Sequence, residues 1–176
     1  MKKILLFISI ILMFGFVNKD YDFGLLKADS AEETAINFNK FLGNKGKLEF
    51  EPVDYHNQIL DTYELNDDNS TIFNVVANAD GTLHQVSIDD ITSDYLIRIL
   101  EEINFPKTDA LMESIEQERK SIFTEYKGLG LVILKNIHSW SDSDKPISQL
   151  ILLTDEERFG GIAELVDKEN EQAGIQ

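Results

Sequence analysis

The residues best equipped for chemistry gather at His138-Ser139-Trp140-Ser141-Asp142-Ser143-Asp144. This stretch joins an imidazole, the only tryptophan and a D-x-D pair of aspartates. A large aromatic left on a polar loop is a contact anchor of the kind that dominates protein interfaces. On that reading Trp140 is the anchor, and His138, Asp142 and Asp144 are its polar companions. Alternating aspartates also offer oxygen ligands to Ca²⁺. The serines between them and the missing downstream glutamate leave such a loop incomplete, so no metal is assigned. The competing reading is structural: Trp140 folds back onto the sheet and the aspartates form a solvated turn.

Elsewhere the chemical signals are thinner. The other histidines, His56 and His84, stand in no H-x-x-x-H or H-E-x-x-H arrangement. His84 falls in a strand pattern, sharing a face with Thr82, Val86 and Ile88, which makes it a half-buried strand residue. Asn78-Ala79-Asp80-Gly81 fails as a Ca²⁺ loop, because Val76 and Ser87 occupy the positions where its end ligands belong. Gly128-Leu129-Gly130 lacks the glycine, lysine and hydroxyl that complete a phosphate loop. No G-x-S-x-G elbow is present. Asn69-Ser70-Thr71 matches a glycosylation acceptor, a tripeptide too common to decide anything. The absence of cysteine excludes disulfides, thiolate metal sites and a cysteine nucleophile. No catalytic residue and no cofactor are assigned.

The elements that would position these residues follow from hydrophobic period. Residues 31–42 read as a helix through Ala35, Phe38, Phe41 and Leu42, with Ser30-Ala31-Glu32-Glu33 as its capping box. Alternation then predicts strands over 47–53, 58–65, 71–78 and 83–88. Asp80-Gly81 closes the last two into a hairpin. From Thr92 the period becomes helical, with Tyr95, Leu96, Ile99, Leu100 and Ile103 on one stripe and Pro106 beyond its end. A second, more polar helix runs from 108 to about 120. Residues 122–137 read as one long strand bent at Gly128-Leu129-Gly130, and 147–154 as its partner. A last helix covers 155–168, and 171–176 fray. Strands and helices are segregated, which is the α+β signature: an antiparallel meander, a second β-hairpin and about four helices. This element order looks similar to the secretion-chaperone-like fold, or to a cystatin-like sheet curved round a helix. Either resemblance implies a fold and not an activity.

Ahead of the domain, Lys2 and Lys3 precede an apolar run over residues 4–17, interrupted only by Ser9 and Gly15. A signal-peptide core needs about 7–15 apolar residues and a membrane span roughly 20, so the run reads as an export signal or an anchor over residues 1–30. A cut after Ser30 suits a signal peptidase, yet Ser30 is also the helix cap. The single domain is expected over 31–170. The chain carries −16, and since residues 1–30 carry +1, residues 31–176 hold −17. Such an acidic surface argues against nucleic acid. It suits a protein or basic partner, with membrane contact only through residues 4–17 if they are uncleaved; the oligomeric state is not legible. The expected function is a small, exported, non-enzymatic binding protein at the cell periphery. The alternatives are an extracytoplasmic hydrolase using the 138–144 loop and a chaperone for a basic or unfolded client.

Overall fold

The computed structural model describes residues 22–43, 49–52, 58–63, 72–117, 120–135, 147–172 and 174. Its first element is a small hairpin of Asp22–Phe23 (β1) and Leu26–Lys27 (β2). Phe23 and Leu26 are 6% and 1% exposed, so the packed core begins before residue 31. Helix Ala31–Phe41 (α1) follows. The Ser30 hydroxyl accepts the Glu33 N–H, as the capping pattern predicts. Thr34 ties the helix to the hairpin: its hydroxyl accepts the Lys27 N–H and donates to the Lys27 and Ser30 carbonyls.

Among the described residues, seven strands then build one antiparallel sheet. They are Glu49–Pro52 (β3), Gln58–Tyr63 (β4), Ile72–Ala77 (β5), Leu83–Ile91 (β6), Ile122–Tyr126 (β7), Leu129–Lys135 (β8) and Ile147–Leu153 (β9). Their spatial order is β3-β4-β5-β6-β9-β8-β7. Two meanders, β3 to β6 and β7 to β9, are thus joined side by side where β6 pairs with β9. Between them in sequence come helices Ser93–Glu102 (α2) and Asp109–Glu116 (α3). Thr92 and Thr108 cap them by accepting the Tyr95 and Leu111 N–H groups. A 3₁₀ turn, Glu156–Arg158, leads into the last helix, Phe159–Gln172 (α4). The class is α+β, as the segregated periods predict.

One sheet face carries the main core. Phe73, Val75, Val86, Ile88, Leu131, Ile133, Leu150 and Leu152 are buried against α1, α2 and α3. Phe38 of α1 stacks on Phe73 with ring centroids 4.9 Å apart. Truncating either ring would cost about 3–5 kcal/mol, the usual range for a buried phenylalanine. At the α1–α2 junction the Arg98 guanidinium lies 5.3 Å from the Phe41 ring and 5.2 Å from the Tyr95 ring.

Residues 122–137 are not one bent strand. Lys127 and Gly128 both take left-handed backbone, at φ 49° and 77°, and turn the chain back on itself. That two-residue turn matches the twist of the flanking strands, so a hairpin forms where a bulge is predicted. Gly130, the second glycine, serves packing instead. A Cβ there would stand 2.7 Å from the Phe159 ring, so its bare backbone lets α4 seat against the sheet.

Candidate functional site

Helix α4 covers only part of the second sheet face. Phe159, Ile162 and Val166 pack on Phe123, Val132, Leu134, Ile151 and Leu153, which belong to β7, β8 and β9. Beyond them the same face continues onto β6 and β5 without a described helix above it. Register identifies its residues. Asp89 stands opposite Gln149, Ser87 opposite Ile151 and Gln85 opposite Leu153. Asn74 and Val76 stand opposite Ser87 and Gln85. β6 alternates apolar and polar, as a strand with one polar face does, while β5 keeps Val76 on this face. Asn74, Gln85, Asp89 and Gln149 are half-buried. The Gln149 amide donates to the Asp89 carboxylate at 2.7 Å.

His84 marks one end of this face. The register of β5 against β6 slips between Val76 and Ala77, so His84 and Gln85 together stand where one residue would otherwise fit. The bulge is why Leu83 joins Val86 and Ile88 in the core and His84 leaves the face predicted for it. Thr154 holds the bulge in place. Its N–H donates to the His84 carbonyl at 3.3 Å. Its hydroxyl lies 2.7 Å from the Leu83 carbonyl and 3.0 Å from that of His84.

Arg158 reaches back from the 3₁₀ turn, with Nη1 3.0 Å from His84 Nε2. A guanidinium only donates, so Nε2 must accept and the proton of the neutral ring sits on Nδ1. Burial pushes the His84 pKa below its ordinary value, the Arg158 charge pushes the same way, and Asp155 opposes both. Asp155 itself accepts the Glu157 N–H at 3.2 Å. Because Nε2 is engaged by Arg158, His84 is a poor general base. Among the described residues no group of three metal-ligating side chains occurs. This surface presents the half-buried amides of Asn74 and Gln85 and the bonded Gln149–Asp89 pair, with an imidazole–guanidinium pair at its end.

The residues singled out from sequence, His138, Trp140, Asp142 and Asp144, lie outside the described residues, as does His56. Their loop leaves β8 at Lys135 and returns at Ile147, two positions that pair with each other. Ile147 also pairs with Ile91, close to Asp89 and Gln149. The loop therefore springs from the end of the sheet opposite His84.

Lys135, at the loop's foot, is a polar feature that sequence reasoning missed. It is 3% exposed, and its Nζ donates to the Ile115 carbonyl at 2.6 Å, closing the C-terminal end of α3. Burial lowers its pKa. Its backbone N–H donates to the Ser121 hydroxyl at 3.2 Å. Ser121 in turn meets the Asn170 amide through both backbone groups, its N–H donating at 3.0 Å and its carbonyl accepting at 2.9 Å. The available signal was Lys135 itself: it continues the inward register of Leu131 and Ile133 with a charge where an apolar residue is expected.

No family model, curated protein or solved structure matches this chain.

Proposed function

We propose that this chain is an exported, acidic, non-enzymatic binding protein that acts at the cell periphery and engages a protein partner of basic character. The observation that carries this reading is the half-covered second face of the sheet. Among the described residues no helix lies over β5 and β6, where Asn74 and Gln85 are half-buried and present amides to a partner. Exposed carboxylates of α4, at Glu164, Asp167, Glu169 and Glu171, add to the acidic surface. With a net charge of −16, the long-range field favours a cationic partner. The loop with His138, Trp140, Asp142 and Asp144 completes the contact in this proposal, since it is tethered at the Asp89–Gln149 end. Kinship belongs to the same proposal. The lie of α1 against β5 suits a cystatin-like sheet curved round a helix, and the secretion-chaperone-like order is the alternative.

The export half rests on the lysines and apolar run of residues 1–17. No described helix is long and apolar enough to cross a membrane. Fractionating the native host and sequencing the N-terminus tests that half, and an intact Met1 in the soluble cytoplasmic fraction would overturn it. For the binding half, a photo-reactive residue replaces Gln85 on the open face or Glu116 on the outer side of α3, in the native host. A defined adduct from position 85 alone is the expected result. Equal labelling from both positions, or none from either, would sink the proposal.

A further inference from the structure

Strand β7 ends the sheet: β8 lies on one side and no described strand on the other. Two independent observations fix which backbone groups that edge presents. The first is the turn. Only Lys127 and Gly128 separate the paired residues Tyr126 and Leu129, so that pair closes the hairpin by exchanging hydrogen bonds. Antiparallel alternation then makes Thr124–Leu131 and Ile122–Ile133 bonded pairs as well. Ser121, Phe123 and Glu125 are left with N–H and C=O pointing away from β8. The second observation is Asn170, whose side-chain amide makes the two bonds to Ser121 that a neighbouring strand would make. Asn170 thus blunts the start of the edge, a known device against uncontrolled strand pairing. The open part runs from Phe123 to Glu125 and stops at the turn.

We propose that this short edge pairs with the same edge of a second copy, antiparallel, about a two-fold axis at Thr124. In that register Phe123 exchanges both backbone hydrogen bonds with the partner's Glu125, and symmetry repeats the pair. Every open group of each edge is used, and the Asn170 clamps stay intact outside the paired stretch. Thr124 meets the partner's Thr124, and Ile122 meets the partner's Tyr126. Threonine pairs and aromatic–β-branched pairs are favoured cross-strand neighbours. The only carboxylate of the strand, Glu125, faces a phenylalanine and not another carboxylate. The contact is isologous, so it closes at two copies and does not propagate. The charge of −16 on each copy opposes approach, so the association is weak and strengthens with salt.

The chain contains no cysteine, so Thr124→Cys introduces a single thiol. Across a non-hydrogen-bonded antiparallel pair the Cα atoms are about 4.5 Å apart, within disulfide range. Under mild oxidation at micromolar concentration, T124C is expected to form linked dimer at least about tenfold faster than Asp109→Cys at the exposed start of α3, because pairing raises the effective thiol concentration. Salt should widen that ratio. In the unsubstituted protein, amide exchange at Phe123 and Glu125 should slow as concentration rises. Equal cross-linking rates for the two cysteine variants overturn the proposal. So does exchange at these amides that ignores concentration; the edge then stays open or belongs to an extended segment of another protein.

Discussion

Replacing Asn170 tests how much of the fold hangs on one amide. Asn170 and Ser121 are 5% and 2% exposed, and the two bonds between them measure 3.0 and 2.9 Å. In Asn170→Ala both bonds vanish and the Ser121 N–H and C=O are left in a site that water reaches poorly. Each bond contributes about 1 kcal/mol net, and each stranded polar group costs about 1–3 kcal/mol. Allowing for partial relaxation, N170A should lose about 2–4 kcal/mol, a large share of the 5–15 kcal/mol that typically stabilises a domain. Asn170→Asp separates the two bonds. An ionised carboxylate still accepts the Ser121 N–H but sets an oxygen against the Ser121 carbonyl. The protonated acid both donates and accepts. The carboxyl pKa of N170D should therefore rise on folding. Its stabilising form is then fully present at low pH and is lost as pH climbs through the folded pKa. Urea unfolding followed by far-ultraviolet circular dichroism, from pH 4 to pH 8, reads both variants against the parent. The reasoning fails if N170A lies within about 0.5 kcal/mol of the parent, a surface-like effect. It fails equally if the N170D deficit does not change with pH.

His84 has its pKa lowered on folding, chiefly by burial and then by Arg158, so its neutral form is the stabilising one. That contribution is complete above the unfolded pKa of about 6.5 and fades as pH falls below it. His84→Gln keeps an acceptor for Arg158 and should flatten the dependence of the urea midpoint between pH 7.5 and pH 5; an unchanged slope would assign the titration elsewhere. Gly130→Ala thrusts a methyl into the Phe159 ring and should cost about 1–3 kcal/mol by thermal unfolding. Adding Phe159→Leu should recover part of that loss, and strictly additive losses would show that the two sites do not touch.

What could be read from the residues, and what could not, divides along physical lines. The cap at Ser30 and the stripe of α2 depend on local spacing, and spacing is visible in a sequence. The Asp80-Gly81 turn was legible for the same reason, with Gly81 at φ 86°. The bulge at His84 was not, because it arises from how β5 and β6 align and leaves no mark on either strand alone. The β7–β8 turn was misjudged because Lys127 adopts left-handed backbone without being glycine, so a two-residue hairpin resembled a bend. The buried hairpin of Phe23 and Leu26 was absorbed into the leader, since strands of two residues carry no period. Arg158 against His84, Asn170 against Ser121 and Lys135 against Ile115 join residues far apart in the chain. Pairings of that kind are settled by topology, and a single sequence does not encode them in any local pattern.

The pairing of β6 with β9 has a consequence for how the molecule is made. Each meander pairs strands that follow one another in the chain, so its closures are local and cheap to order. The seam between the meanders joins Gln85 to Leu153, and forming it requires the whole intervening chain to be gathered first. Loop-closure entropy and the dependence of folding rate on contact separation make such a seam late and slow. A chain emerging residue by residue from a ribosome or an export channel can assemble the first meander early, but it cannot build the seam until β9 is released. Until then β6 is a raw strand margin with Gln85 and Ser87 on one side and Val86 and Ile88 on the other. The interval before β9 arrives is the one in which this protein is most exposed to proteases, chaperones and copies of itself.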